Sequence, residues 1–211
     1  MPEIPLILQL RKKTHKDIAL AQDIVIKELY NIFDKAIIHG GTALWRCYNG
    51  NRFSEDIDVY IPKNKKKINL LFENFQKAGF QIKKRKIGDN SLYSTLNING
   101  TEIRFEALFL DKKPILKDYL DSEGSFISIF TLSPEDLIKE KIETYKKRLK
   151  IRDLYDIFTL LKYSNNSNVA LELKKFISEF KKPLDESNLK TIIISGIIPT
   201  TEDMLNYIKN Y

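Results

Sequence analysis

Asp56 and Asp58 stand one residue apart in DIDVYI, an alternating segment whose other positions include Ile57, Val59 and Ile61. In an extended strand, residues i and i+2 point the same way. The two carboxylates therefore share a face, and the branched residues hold the opposite face in a core. Carboxylates so placed repel each other unless a positive charge sits between them. A hard divalent cation, which prefers oxygen ligands, is one candidate. An arginine such as Arg52 or Arg104, on a sheet edge with solvated acids, is the other. A third acid, Glu106, lies between Phe105 and Ala107 in a second alternating segment, TEIRFEALFL. If that strand lies beside the first, Glu106 joins the aspartates. Three carboxylates in one cleft have the chemistry to hold two metal ions. Two metals about 3.5–4 Å apart activate an attacking hydroxyl and stabilise a leaving pyrophosphate.

A second group of residues precedes the aspartates. Gly40 and Gly41 stop a short apolar run, AIIH, and open TALWRCYNG, which suits a short helix. Without a Cβ, glycines let a triphosphate approach the backbone closely, and a helix N-terminus offers unpaired N–H groups to an anion. Thr42, Arg52 and Ser54 add hydroxyl and guanidinium donors. Neither GG nor two aspartates around an apolar residue is specific alone. The combination of strand, GG, helix, Arg-x-Ser loop, acid pair and later acid is far more so. His39 reads as strand-end packing, Cys47 as packing of the short helix, and Trp45 as a core or interface residue.

These residues need strands and helices to position them. Apolar spacing from Ile18 to Phe33 predicts a helix, with Thr14 and Asp17 as a capping box. Residues 64–78 read as a second long helix, ended near Gly79. FQIKKRKI and SLYSTLNI read as strands, and Asn99-Gly100 predicts a hairpin joining the latter to the Glu106 strand. SFISIFTL is a further strand candidate. Ser133, Pro134 and Asp136 mark a helix start. Helices are expected over 134–149, 151–163, 168–180 and 201–210. Composition shifts near residue 130, which divides a mixed region, 1–130, from a helical one, 131–211. On helix 134–149 the stripe Leu137, Ile138, Tyr145 and Leu149 contains Lys141. A lysine on a buried stripe needs an anionic partner or must reach water. Asp153, Asp156 and a bound triphosphate are the candidates.

The chain has 211 residues and is 43% hydrophobic and 30% charged, which fits a folded globular domain. No apolar run approaches the roughly 18 residues that span a bilayer, so no membrane association is expected. The N-terminal charges run in the wrong order for a secretory signal. One cysteine and two histidines exclude an internal disulfide framework and disfavour structural zinc. A reducing cytoplasm is the expected compartment. Net charge is +7, with basic runs at 63–67, 83–86 and 146–150. Such runs are either solvated surface or a footprint for a polyanion such as RNA.

The pattern resembles the DNA polymerase β-type nucleotidyltransferase superfamily. More narrowly, GGTAL followed by RFSEDIDV is similar to the AbiEii-type nucleotidyltransferase toxins of prokaryotic toxin–antitoxin systems. That resemblance implies an α+β fold, with a mixed or antiparallel sheet flanked by helices and a helical C-terminal region. It implies a nucleoside triphosphate substrate, two Mg²⁺ ions (or Mn²⁺), and transfer to the acceptor end of tRNA, with a possible cognate antitoxin. By resemblance, Gly40, Gly41, Thr42, Arg52 and Ser54 hold phosphates. Asp56, Asp58 and Glu106 bind metal, and Glu106 is the general base. The later segment LIKEKIETYKKRLKIRDLYDIF resembles the family's helical lysine and RDLYD motifs. By that resemblance Lys141 is the helical lysine, a catalytic and nucleotide-site residue; Arg152, Asp153 and Asp156 fall in the second segment, with the two aspartates at the nucleotide. Two alternatives remain open: transfer to a small molecule or a protein side chain, and a catalytically silent nucleotide- or RNA-binding module.

Overall fold

The computed structural model describes residues 4–211; Glu3, whose charge precedes the short apolar stretch near the N-terminus in the sequence, lies outside them. The chain forms two compact units. One comprises the chain up to Cys47 together with Phe53–Thr131; the other comprises Tyr48–Arg52 and Leu132–Tyr211.

The first unit holds helices α1 (Leu6–Gln9), α2 (Lys13–Ile32), α3 (Gly40–Cys47) and α4 (Lys65–Lys77). Its strands are β1 (Ile37–His39), β2 (Ile57–Tyr60), β3 (Gln81–Ile87), β4 (Ser91–Ile98), β5 (Thr101–Leu108), β6 (Ile115–Leu120) and β7 (Phe126–Thr131). They form one mixed sheet in the order β3-β4-β5-β2-β1-β7-β6. The pairs β2–β5 and β1–β7 are parallel and the others antiparallel. The acid-bearing strand β2 is therefore central rather than an edge. One face of the sheet presents Ile57, Val59, Phe105, Ala107, Leu92 and Leu96, all buried. Helix α2 packs on β5 and on α4, and the Phe75 and Phe105 rings meet edge to face at 5.6 Å. Burial of these side chains is the main force holding the sheet to its helices.

Local chemistry sets several boundaries. Asn99 (φ 50) and Gly100 (φ 83) both adopt positive φ, as a two-residue type I′ hairpin requires. That turn pairs Ile98 with Thr101. The capping box expected at Thr14 and Asp17 does not form. Helix α2 starts at Lys13 with Lys12 as its uncapped N-cap, so Thr14 is already inside the first turn. Strand β6 lacks an expectation from sequence, because its alternation is broken by Lys117 and Asp118. Its pairing with β7 holds it in place.

The second unit holds α5 (Pro134–Arg148), α6 (Ile151–Leu160), α7 (Asn166–Ser178), α8 (Leu189–Ile192) and α9 (Thr201–Asn210). Ser133 Oγ accepts from the Asp136 N–H at 3.1 Å, with Pro134 at the first position, as the SPED sequence predicts. The Tyr145 ring packs edge to face on Phe176 and parallel to Phe180. Among the described residues, no helix is long and apolar enough to cross a membrane.

Candidate active site

Strand β1 runs directly into α3. Gly40 and Gly41 are the first two residues of that helix rather than a separate loop. Gly40 adopts φ +69, and a Cβ placed on it would lie 2.2 Å from Asp58 Oδ2 and 3.0 Å from its Cγ. Both its conformation and the Asp58 side chain against it require glycine. Thr42 is fully buried, and its hydroxyl donates to the Asp56 carbonyl at 2.5 Å. It clamps the backbone that carries the first aspartate. Ser54 is buried, and its carbonyl accepts from Gln22 Nε2 at 2.9 Å. We expect Gly40→Ala to cost about 1–2 kcal/mol from the left-handed backbone alone. It should also displace the Asp58 carboxylate, so activity falls further than thermal stability. Parallel melting and transfer assays on that variant check this.

The sheet register brings the acids together. Asp58 on β2 lies directly beside Glu106 on β5, and His39 on β1 lies across from Asp58. All three are half-buried on the face opposite the core. Burial raises the Glu106 carboxyl above its ordinary range, and the negative charges of Asp58 and Asp56 push it the same way; Arg104 and His39 oppose. Asp56 is held in a fork by Arg104, whose Nε and Nη2 each donate at 2.7 Å. The arginine considered as a neutraliser is thus present, but it serves Asp56. His39 stacks on Tyr60 with ring centroids 4.0 Å apart.

Among the described residues, no group of three or more His, Cys, Asp or Glu side chains stands arranged to hold a metal ion. The donor chemistry nevertheless fits a hard cation. Asp58 and Glu106 are adjacent carboxylates whose mutual repulsion such an ion relieves.

The remaining sequence candidates belong to the second unit. Arg52 is buried and forks Asp156, with Nε–Oδ1 2.5 Å and Nη2–Oδ2 2.6 Å. Lys141 Nζ lies 2.7 Å from Asp156 Oδ2 and 3.8 Å from Asp153 Oδ1. Arg148 forks Asp153 at 2.7 Å through both nitrogens. Burial alone would raise the Asp156 carboxyl, but Arg52 and Lys141 outweigh it and hold it below its usual value. Asp153 and Asp156 are fully buried. Arg52, Asp153 and Asp156, expected at the nucleotide, thus take part in a network of buried ion pairs within this unit. Arg152 is half-buried on the same helix.

Tyr93, which lies across from Glu106, is a residue that motif and composition do not single out. The signal was there: counting back along both strands from the Ile98–Thr101 hairpin pair places it opposite that acid.

The chain shares its fold with two crystal structures from Helicobacter pylori. One is JHP933, 19% identical with a TM-score of 0.64, the match covering 93% of this chain and 89% of that one. The other is a proposed nucleotidyltransferase, 18% identical with a TM-score of 0.64, the match covering 95% of each. No curated protein matches the chain. The mixed sheet flanked by helices is the fold that this chain has in common with both structures. The family model for the nucleotidyl transferase AbiEii toxin of type IV toxin–antitoxin systems matches residues 27–205, and the chain belongs to that family.

Proposed function

We propose that the chain is a metal-dependent nucleotidyltransferase that moves a nucleotide from a nucleoside triphosphate to a hydroxyl at the 3′ end of an RNA. The acceptor end of tRNA is the specific target we favour, and the cytoplasm the compartment. The activity is that of a toxin held in check by a cognate antitoxin. The observation that supports this reading best is the pairing of Asp58 with Glu106 on neighbouring parallel strands, with Gly40 packed against Asp58.

The acceptor oxygen forms a bond to the α-phosphorus, and the bond from that phosphorus to the bridging oxygen of pyrophosphate breaks. Glu106, half-buried beside Asp58, is the general base that accepts the hydroxyl proton. Asp58 and Glu106, with Asp56, would hold magnesium or manganese, which when bound lowers the pKa of the hydroxyl and offsets charge on the pyrophosphate. Arg104 keeps Asp56 oriented. Net charge of +7 supports an RNA acceptor over a neutral small molecule.

Incubation with α-labelled nucleoside triphosphates, magnesium and total RNA should place label on RNA with equimolar pyrophosphate, and excess EDTA should abolish both. Label on protein or on a small molecule would overturn the RNA assignment. Triphosphate binding without pyrophosphate release for any acceptor would overturn the enzymatic one.

A further inference from the structure

The row of residues through the acid pair does not stop at Glu106. Across β4, Tyr93 lies opposite Glu106, and across β3, Lys86 lies opposite Tyr93. The row His39, Asp58, Glu106, Tyr93, Lys86 thus crosses five adjacent strands. Directly paired residues project on the same side of a sheet, so all five share the face away from the core. In the neighbouring row, Lys84 pairs with Thr95 and Thr95 with Arg104, the arginine that holds Asp56.

A break in register between Ile82 and Lys84 sorts the 83–86 basic run. Arg85 falls on the core side, where its guanidinium lies 4.1 Å from the Phe72 centroid and donates to Asn69 at 2.6 Å. Lys84 and Lys86 fall on the acid side and are exposed. The Lys84 ammonium sits 5.1 Å from the centroid of the half-buried Tyr93 ring. With strands about 4.8 Å apart, Lys86 is roughly 10 Å from Glu106. An aromatic ring and two cations therefore lie one and two strands from the proposed base.

We infer that Tyr93, Lys84 and Lys86 form a subsite for the RNA strand that leads its 3′ hydroxyl to Glu106. This rests on the RNA-acceptor reading above. Tyr93 offers a stacking surface to a base near the 3′ end, as sequence-tolerant single-strand binders do. Lys84 and Lys86 take the backbone phosphates that follow. The subsite balances the acids beside it, since a polyanion approaching Asp58 and Glu106 directly is repelled.

The rival is that edge-strand lysines merely block pairing with other chains. Fluorescence anisotropy of the full chain with a short labelled single-stranded RNA carrying a free 3′ hydroxyl, across a salt series, separates the two. For the K84A/K86A double variant, the slope of log affinity against log salt should fall by about 1.4, at about 0.7 per lost phosphate contact. Tyr93→Ala should weaken binding roughly tenfold, and Tyr93→Phe should restore it. Triphosphate affinity and melting temperature should not change. Unaltered RNA affinity and slope in the double variant, with wild-type binding intact, would leave the lysines as edge guards and overturn the subsite alone. Tighter binding of single-stranded DNA of the same sequence would also overturn it. A wild-type chain that binds no RNA would overturn the RNA-acceptor reading as well.

Discussion

Asp58→Ala should reduce nucleotidyl transfer by about a thousandfold or more, equivalent to roughly 4 kcal/mol of transition-state stabilisation, while the protein stays folded. The expectation follows from where the residue sits. Asp58 stands on a central strand, beside Glu106 and against Gly40, on the face opposite the core. Its opposite-face neighbours Ile57 and Val59, not the carboxylate, bury apolar surface. Removing it also relieves Glu106 of the nearest negative charge that raises its pKa. Stability measured without metal should therefore be unchanged or higher. Pyrophosphate release and melting curves, each with and without magnesium, test both halves. A folded Asp58→Ala protein with wild-type turnover in magnesium would remove the metal assignment, and with it the role given to the acid pair.

Legibility of the fold followed the range of the interactions involved. The Asn99-Gly100 hairpin and the Ser133 cap rest on neighbouring residues, so their chemistry is visible in a short window. The shared face of Asp56 and Asp58 needs only strand geometry. Glu106 is harder: β2 and β5 are parallel and separated by a helix and two strands, and only the folded sheet sets their register. The direction of single side chains was least legible. Thr42 reads as a phosphate donor beside two glycines, yet its hydroxyl turns inward to Asp56 because the helix begins at Gly40. Arg52 reads as part of the loop before the aspartates. Its carboxylate partner, Asp156, is supplied by a distant helix, and no local pattern announces a pair so far apart in sequence.

That pair carries the largest expected effect on stability. Asp156→Ala should destabilise the helical unit by about 3–5 kcal/mol, because it leaves the Arg52 and Lys141 charges in place without their shared partner. At roughly 2–4 °C per kcal/mol for a chain of this size, the melting temperature should fall by about 10 °C. The Arg52 side chain is 4% exposed and that of Lys141 9%, so neither is readily hydrated in compensation. Lysine can shed its proton when buried, but arginine cannot. Asp153→Ala should cost less. Lys141 then keeps Asp156, and the Arg148 side chain is 37% exposed and reaches water. Replacing Arg52, Lys141 and Asp156 together by apolar residues of similar volume should recover most of the loss, since the pairing offsets a desolvation cost that the apolar set never incurs. The pH dependence has a definite sign. The folded Asp156 carboxyl lies below its unfolded value of about 3.9. Its stabilisation is therefore present above that pH and lost as pH falls through the lower folded value. The gap in melting temperature between wild type and Asp156→Ala should be constant at neutral pH and shrink in acid. An Asp156→Ala protein that melts within about 2 °C of wild type at neutral pH would show that the network braces nothing.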